Sequence, residues 1–345
     1  MSQEVKLEYQ QKDMPFRRLG PSGLRVPLFS LGGWLTFGGT VVGDPVKEIV
    51  KTAIENGINM FDEAEAYSKG KSELELGRVL KELGVRRADY IITTKIFWGT
   101  RPGPNNGGLS RKHIIEGVKE SLERLQLDYL DVVFAHRADH NVPMEEVVRA
   151  FSWVIDQGLA YYWATSEWTA REIEESKPLL HRERAEAEYA PLYKKYDLGT
   201  TVFSGLARGL LTGKYNNGIP DGSRFDTNKD IFKEKIAFLD SDDGKKQIEI
   251  IKKLTHLAET EIAELDCKVA HLALAWVAKN PNTSTVILGA TSPEQILDNL
   301  KALEVIPKLT PEVLKKIEHI VSNKPSSRPT YGRPALDTYG RLPVT

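Results

Sequence analysis

The chain has 345 residues, a formal net charge of −1, 28% charged and 41% hydrophobic residues, and one cysteine, Cys267. That balance suits a soluble globular protein with a sizeable core; it offers no whole-chain attraction to nucleic acid or anionic lipid, and it excludes an internal disulfide. No run approaches the roughly 18 apolar residues of a spanning helix. The charged opening MSQEVKLEYQQKDMPF lacks the apolar centre of a signal peptide, so the expected location is cytoplasmic.

In chain order, residues 1–15 read as an N-terminal extension. The first strand is expected over 26–31. A helix over 44–56 stops at Gly57, a strand follows over 59–61, and a helix over 71–83 stops at Gly84. A strand over 90–93 precedes a serine-capped helix over 110–125. A strand over 130–134 precedes a helix over 143–157 that opens on proline and stops at Gly158. Strands over 161–164 and 200–203 come next, then a long linker near Pro220. Helices over 247–264 and 269–279, a strand over 285–288, and helices over 293–303 and 311–321 complete the pattern. The ordered domain is expected over 16–322. Residues 323–345, rich in Pro, Gly, Ser and Arg, read as a disordered tail.

Most of the strand runs are continuously apolar, as in parallel strands buried on both faces. Strands alternating with helices imply an α/β protein with a parallel sheet, closed or open. Polar residues stand where strands end: Asp62 after NMF, Lys95 after IITT, His136 after DVVFA and Ser166 after YYWAT. In a (β/α)8 TIM barrel those ends share one face, which holds the active site. An open dinucleotide-binding sheet would lead from its first strand into G-x-G-x-x-G, and LGGWLTFGG lacks that spacing. A barrel is therefore expected. Only seven strands are found, because residues 166–200 are charged and helical in pattern.

The stretches FDEAEAY, ITTKIFWG, DYLDVVFAHR, YYWATSEW, GLLTGKY, GIPDGSR and VILGATSPEQILDN resemble the aldo-keto reductase superfamily, in the branch of the potassium-channel β-subunits and their fungal relatives. The resemblance runs from about residue 16 to 325. It implies NADPH-dependent reduction of an aldehyde or ketone. It assigns Tyr67 as general acid, Lys95 and Asp62 as the pair that tunes it, and His136 as the group that orients the carbonyl. A neighbouring ammonium is expected to lower the tyrosine's pKa from about 10. His136 stands where the channel subunits usually carry asparagine, which points to the enzyme side of the branch. Taken singly, each of the four has a bland reading: a cap, a packing ring, a strand end, a structural histidine.

Cofactor contacts are implied in the same way. Gly33 and Trp34 would line the nicotinamide side, Asp62 would also contact the cofactor, and Ser166 would bond the carboxamide. Ser204, Leu206 and Lys214 would hold the pyrophosphate, with Arg224 on the loop over it. Gly289, Thr291, Gln295, Asp298 and Asn299 would hold the 2′-phosphate of NADP at a helix start; helix capping is the plainer reading of residues 291–294. No counterpart of the family's sixth strand is found, so the barrel is expected to be incomplete or patched by residues 177–180. Gly205, Arg208 and Ala164 also depart from the family pattern. The alternative function is an NADPH-binding regulatory or channel-β-subunit-like protein with little turnover. A metal-dependent hydrolase is disfavoured: His136 and His140 are four apart in the loop stretch HRADHNVP, no His-x-His pair exists, and no metal is expected. Expected partners are a small carbonyl substrate and, beyond it, a homo-oligomer or channel-type partner; neither nucleic acid nor membrane is expected.

Overall fold

A computed structural model describes residues 6–168, 190–261 and 265–325. The first expected strand is divided by Pro27, which has no N–H to give to a ladder. β1 (Phe16–Arg18) and β2 (Arg25–Pro27) form an antiparallel hairpin, and the barrel's own first strand, β3 (Phe29–Gly32), starts after Leu28 has turned its N–H to Pro15 O at 2.8 Å. Strands and helices then alternate: α1 (Asp44–Glu55), β4 (Met60–Asp62), α2 (Lys71–Leu83), β5 (Ile91–Ile96), α3 (Arg111–Leu125), β6 (Leu130–Ala135), α4 (Met144–Asp156) and β7 (Ala160–Thr165). After α5 (Ala190–Tyr196) and β8 (Thr200–Val202) come α6 (Arg224–Thr227), α7 (Lys229–Asp240), α8 (Asp242–His256) and α9 (Val269–Lys279). The described chain closes with β9 (Thr283–Leu288), α10 (Pro293–Leu300), α11 (Ala302–Val305) and α12 (Pro311–Val321).

The helices form where apolar residues recur at 3.6-residue spacing. In α1, Val46, Ile49, Val50, Ala53 and Ile54 make one buried stripe. Ser110 caps α3 by accepting from His113 N, and Gly84 ends α2 in the left-handed conformation. The stretch read as a linker near Pro220 instead carries α6 and α7. Its signal was weak because α7 buries only Phe232. The next helix begins at Asp242 rather than 247, where Ser241 accepts from Gly244 N and two aspartates occupy the first turn.

The strands pair in the order β7-β6-β5-β4-β3-β9-β8, all parallel. β3, first in the sheet by sequence, pairs with β9, the last (Phe29↔Val286), and with β4 (Leu31↔Phe61). A first strand joined to both the second and the last is the signature of a sheet rolled on itself. The fold is (β/α)8-barrel-like, with seven parallel strands among the described residues and helices around them. β7 and β8 are the two ends of the series. β5 and β6 are buried along their length, whereas Tyr161 and Tyr162 of β7 are 51% and 37% exposed. The place expected for a sixth strand, including residues 177–180, lies outside the described residues, as do positions 326–345 of the expected tail.

The hairpin closes the N-terminal end of the barrel. Val26 packs with Met60 and Ile91 in a small cluster separate from the main core, and Arg17 Nη1 donates to Thr283 O (2.6 Å) at the start of β9. The main core lies between the sheet and the helices. Among the described residues no helix is long and apolar enough to cross a membrane.

α2 and α3 pack closely because Gly77 has no side chain: a Cβ there would lie 2.5 Å from Leu125 O and 2.6 Å from its carbon. Gly77→Ala should therefore lower stability by about 1–3 kcal/mol in chemical denaturation, despite alanine's better helix propensity, worth about 1 kcal/mol. A more stable variant would mean that the two helices are free to separate.

Candidate active site

β4 and β5 are in register with Asp62 opposite Thr93. Side chains alternate along a strand, so Thr93 and Lys95 share a face. Both reach Asp62: Thr93 Oγ1 donates to Oδ1 (2.7 Å) and Lys95 Nζ to Oδ2 (2.6 Å). The same ammonium donates to Glu63 O (2.8 Å) and to Tyr67 Oη (3.0 Å). A lysine ammonium has three N–H groups, and all three are used.

Tyr67 opens a short turn, Tyr67–Gly70, in which Ser68 and Lys69 have φ of 50° and 56°. Non-glycine residues in this region cost about 1–3 kcal/mol each and persist only where the surroundings hold them. Here Ser68 Oγ donates to Phe37 O (3.1 Å). His136 follows β6, with its N–H on Ile96 O (3.1 Å), and meets the Tyr67 ring edge-on, centroids 6.0 Å apart. Ser166 follows β7, with its N–H on Ala135 O (2.9 Å). The C-terminal ends of β4, β5, β6 and β7 thus deliver Asp62, Lys95, His136 and Ser166 to one face.

Burial governs the protonation of this group. It pushes the Tyr67 phenol up from its ordinary value, outweighing the opposite pull of Lys95. The expected net lowering by the ammonium is thus reversed: the pocket's exclusion of water is the larger effect, and the phenol keeps its proton. Burial alone would lower the Lys95 amine, but Asp62 and Tyr67 together hold it above its usual range. Burial, followed by the charges of Lys95 and Arg137, pushes His136 down to about 2, so its imidazole is neutral. Its Nδ1 is buried and has no hydrogen-bond partner among the described residues.

These groups border a cavity of about 1760 Å³ that runs from Trp34, Trp98 and Tyr67 at the strand ends down to the hairpin turn at Leu19–Ser22. Drug-sized pockets occupy about 300–1,000 Å³, so there is room for a dinucleotide and a second molecule. Of the residues expected to serve a cofactor, Trp34, Asp62, Ser166, Ser204, Leu206, Lys214, Arg224, Gly289, Thr291, Gln295, Asp298 and Asn299 all line it. Gly33 does not. Its α-carbon is turned against the buried Glu63 and Ser72 side chains, and a Cβ there would collide with Glu63 Oε1 and Ser72 Oγ. Gly32 is on the wall in its place.

The far part of the cavity suits phosphate. After β8, Ser204, Ala207 and Arg208 have φ of 55°, 48° and 61°, and Ala207 N–H bonds Ser204 O (2.7 Å), so the chain folds into a tight strained loop. Lys214 and Arg224 line the wall, and no carboxylate among the described residues pairs with either. Burial lowers both, and Arg224's charge lowers Lys214 further. Two cations without a carboxylate partner among the described residues thus stand beside a strained loop, a combination that favours an anion. α6 and α7 hold this arrangement: Phe232 meets Trp34 edge-on at 6.4 Å, and Phe225 stacks on Tyr215 at 4.5 Å. Gln295 Oε1 accepts from Thr291 N (2.9 Å) and Oγ1 (3.2 Å), while the Asp298 carboxylate is taken by Lys268. Residue types alone gave no reason to select Trp98, Arg208 or Lys268, which also line the cavity. Position gives a signal for Trp98, three residues past Lys95.

The Aldo/keto reductase family model matches residues 29–322. The chain is 48% identical over 337 residues to a putative voltage-gated potassium channel subunit beta of Schizosaccharomyces pombe, covering 92% of this chain and 96% of that one. It is 44% identical over 339 residues to a probable voltage-gated potassium channel subunit beta of Oryza sativa, covering 92% and 100%. The structure of an aldo-keto reductase from Bacillus halodurans in its holo form superposes with a TM-score of 0.69 at 24% identity, over 93% of this chain and all of the other.

Glu63 allows a test of the site's polarity. Its carboxyl is fully buried, and burial raises it well above the ordinary carboxylate value; a hydrogen bond from Ser72 pulls against the rise, Glu73 and Asp62 add to it, and Lys95 opposes it. A group raised in the folded state contributes stability below its unfolded value, about 4.3, and loses it as pH rises toward the folded value. Glu63→Gln should therefore melt above the wild type at pH 7–8, with the gap closing as pH falls toward 4. A pH-independent offset would show that Glu63 ionisation is not coupled to folding.

Proposed function

The chain belongs to the aldo/keto reductase family, and we propose that it reduces an aldehyde or ketone to an alcohol with NADPH. The observation that carries this reading is the spent ammonium of Lys95, bound to Asp62, Glu63 O and the Tyr67 hydroxyl at the edge of a dinucleotide-sized cavity. When bound, NADPH supplies a hydride to the carbonyl carbon. Tyr67 supplies the proton to the carbonyl oxygen. Burial keeps that proton on the phenol until the oxygen gains negative charge, and the Lys95 ammonium at 3.0 Å stabilises the phenolate left behind. Asp62 balances and orients the ammonium. His136, neutral throughout the physiological range, orients the carbonyl without adding a positive charge beside Lys95. Trp34 and Ser166 border the nicotinamide end. Ser204, Leu206, Lys214 and Arg224 hold the pyrophosphate, and Gly289, Thr291, Gln295 and Asn299 the adenosine phosphate, with Asp298 at the same end of the cavity. Gly33 serves by letting the strand end pack on Glu63. The working location is the cytoplasm.

A second reading rests on a separate observation. Among the described residues β7 and β8 have no strand between them, yet both line the one cavity. A barrel open there would hold NADPH and turn it over slowly, acting as a regulatory or channel-associated subunit.

Loss of NADPH absorbance with a panel of aryl aldehydes separates the two: turnover supports the enzyme, and tight cofactor binding without consumption supports the regulator. Tyr67→Phe should cut reduction by about 10²–10⁴-fold while leaving the NADPH dissociation constant nearly unchanged; full activity in this variant would exclude Tyr67 as the acid. Arg224→Ala should weaken NADPH binding in a fluorescence titration by about tenfold, and an unchanged constant would remove Arg224 from the phosphate site.

A further inference from the structure

Two lysines converge on one carboxylate at the edge of the cavity. Lys268, the residue before α9, donates to both oxygens of Asp298 on α10, at 2.9 and 3.0 Å. Lys301 stands 3.6 Å from the same carboxylate. His271, buried one turn into α9, lies 3.4 Å from it, and burial keeps that imidazole low despite Asp298, so it adds no charge. The cluster therefore holds two cations against one anion. Lys268 and Asp298 line the cavity together with Thr291, Gln295 and Arg224. Arg224 adds a further cation on that wall, its guanidinium 3.9 Å from where a Gly289 side chain would begin.

We propose that Lys268 is the residue that makes this site select a 2′-phosphorylated dinucleotide over the unphosphorylated one. The assignment rests on the dinucleotide reading above. The Lys268 side chain is 62% exposed, and an ion pair so exposed to solvent adds little, so it leaves Asp298 at little cost. A phosphate monoester carries about −1.5 to −2 charges near pH 7 and is the stronger partner. Lys301 is already in place to take over the Asp298 carboxylate, so no charge is stranded when Lys268 turns to the phosphate. Asp298 is then a positioning residue: it holds the lysine at the cavity edge until the ligand arrives.

Quenching of tryptophan fluorescence in the purified full chain reads this directly, since Trp34 and Trp98 border the cavity. Titrations compare NADPH with NADH, and 2′,5′-ADP with 5′-ADP. Lys268→Met should weaken NADPH and 2′,5′-ADP by about tenfold, leaving NADH and 5′-ADP unchanged, and Lys268→Arg should keep the preference. In the wild type, rising salt should shrink the NADPH-to-NADH affinity ratio. Equal weakening of both members of each pair, no weakening, or a wild type without preference would overturn the assignment to Lys268 while leaving the reductase reading standing. A wild type that binds none of the four would overturn both.

Discussion

The structure of the site depends on one ammonium with no freedom left. Lys95 is buried, and its three N–H groups are spent on a carboxylate, a backbone carbonyl and a phenol. Removing a charge from water costs several kcal/mol unless it is paired and hydrogen-bonded, so the position is stable only with all three partners in place. Each partner is thereby held in return. Asp62 must sit at the end of β4, the chain must turn so that Glu63 O faces β5, and the left-handed turn after Tyr67 must bring its hydroxyl back over the strand. Water exclusion holds the proton on the phenol, while the fixed positive charge beside it pulls the other way.

Strand register converts this constraint into something a reader of the sequence can see. Because Asp62 pairs with Thr93, and side chains two apart share a face, a lysine two residues past Thr93 is bound to reach Asp62. The order Asp, Lys, His at successive strand ends was therefore legible, with the Tyr five residues past the Asp, as were the helices whose apolar stripes are buried and whose ends carry Ser110, Gly57 or Gly84. The parallel, barrel-like sheet was legible too, from strands that alternate with helices and lack a glycine-rich first turn.

Other features were hidden for physical reasons. Pro27 splits a run that reads as one strand, since hydrophobicity does not register a missing N–H. α7 buries one side chain and leaves almost no stripe, although it holds Trp34 through Phe232. Gly33 looks like a residue that gives a ligand room, whereas the space is taken by Glu63 from the next strand end. The net direction of the Tyr67 shift could not be read from its neighbours, because it turns on burial, which a list of nearby charges omits. Lys268 resembles any surface lysine until the ends of α9 and α10 are brought together.

The pairing of β3 with β9 has a consequence for how such a chain comes into being. Thr285 Oγ1 meets Ser30 Oγ at 3.1 Å across 255 positions of sequence, and loop closure over that span is entropically among the last things a chain can do. Trp34 and Asp62 lie on the early side of this seam, and Gly289 and Thr291 on the late side. The pocket thus comes into existence only when the newest residues meet the oldest. Any molecule that touches both sides acts as a rivet, shifting the equilibrium toward the closed ring by mass action.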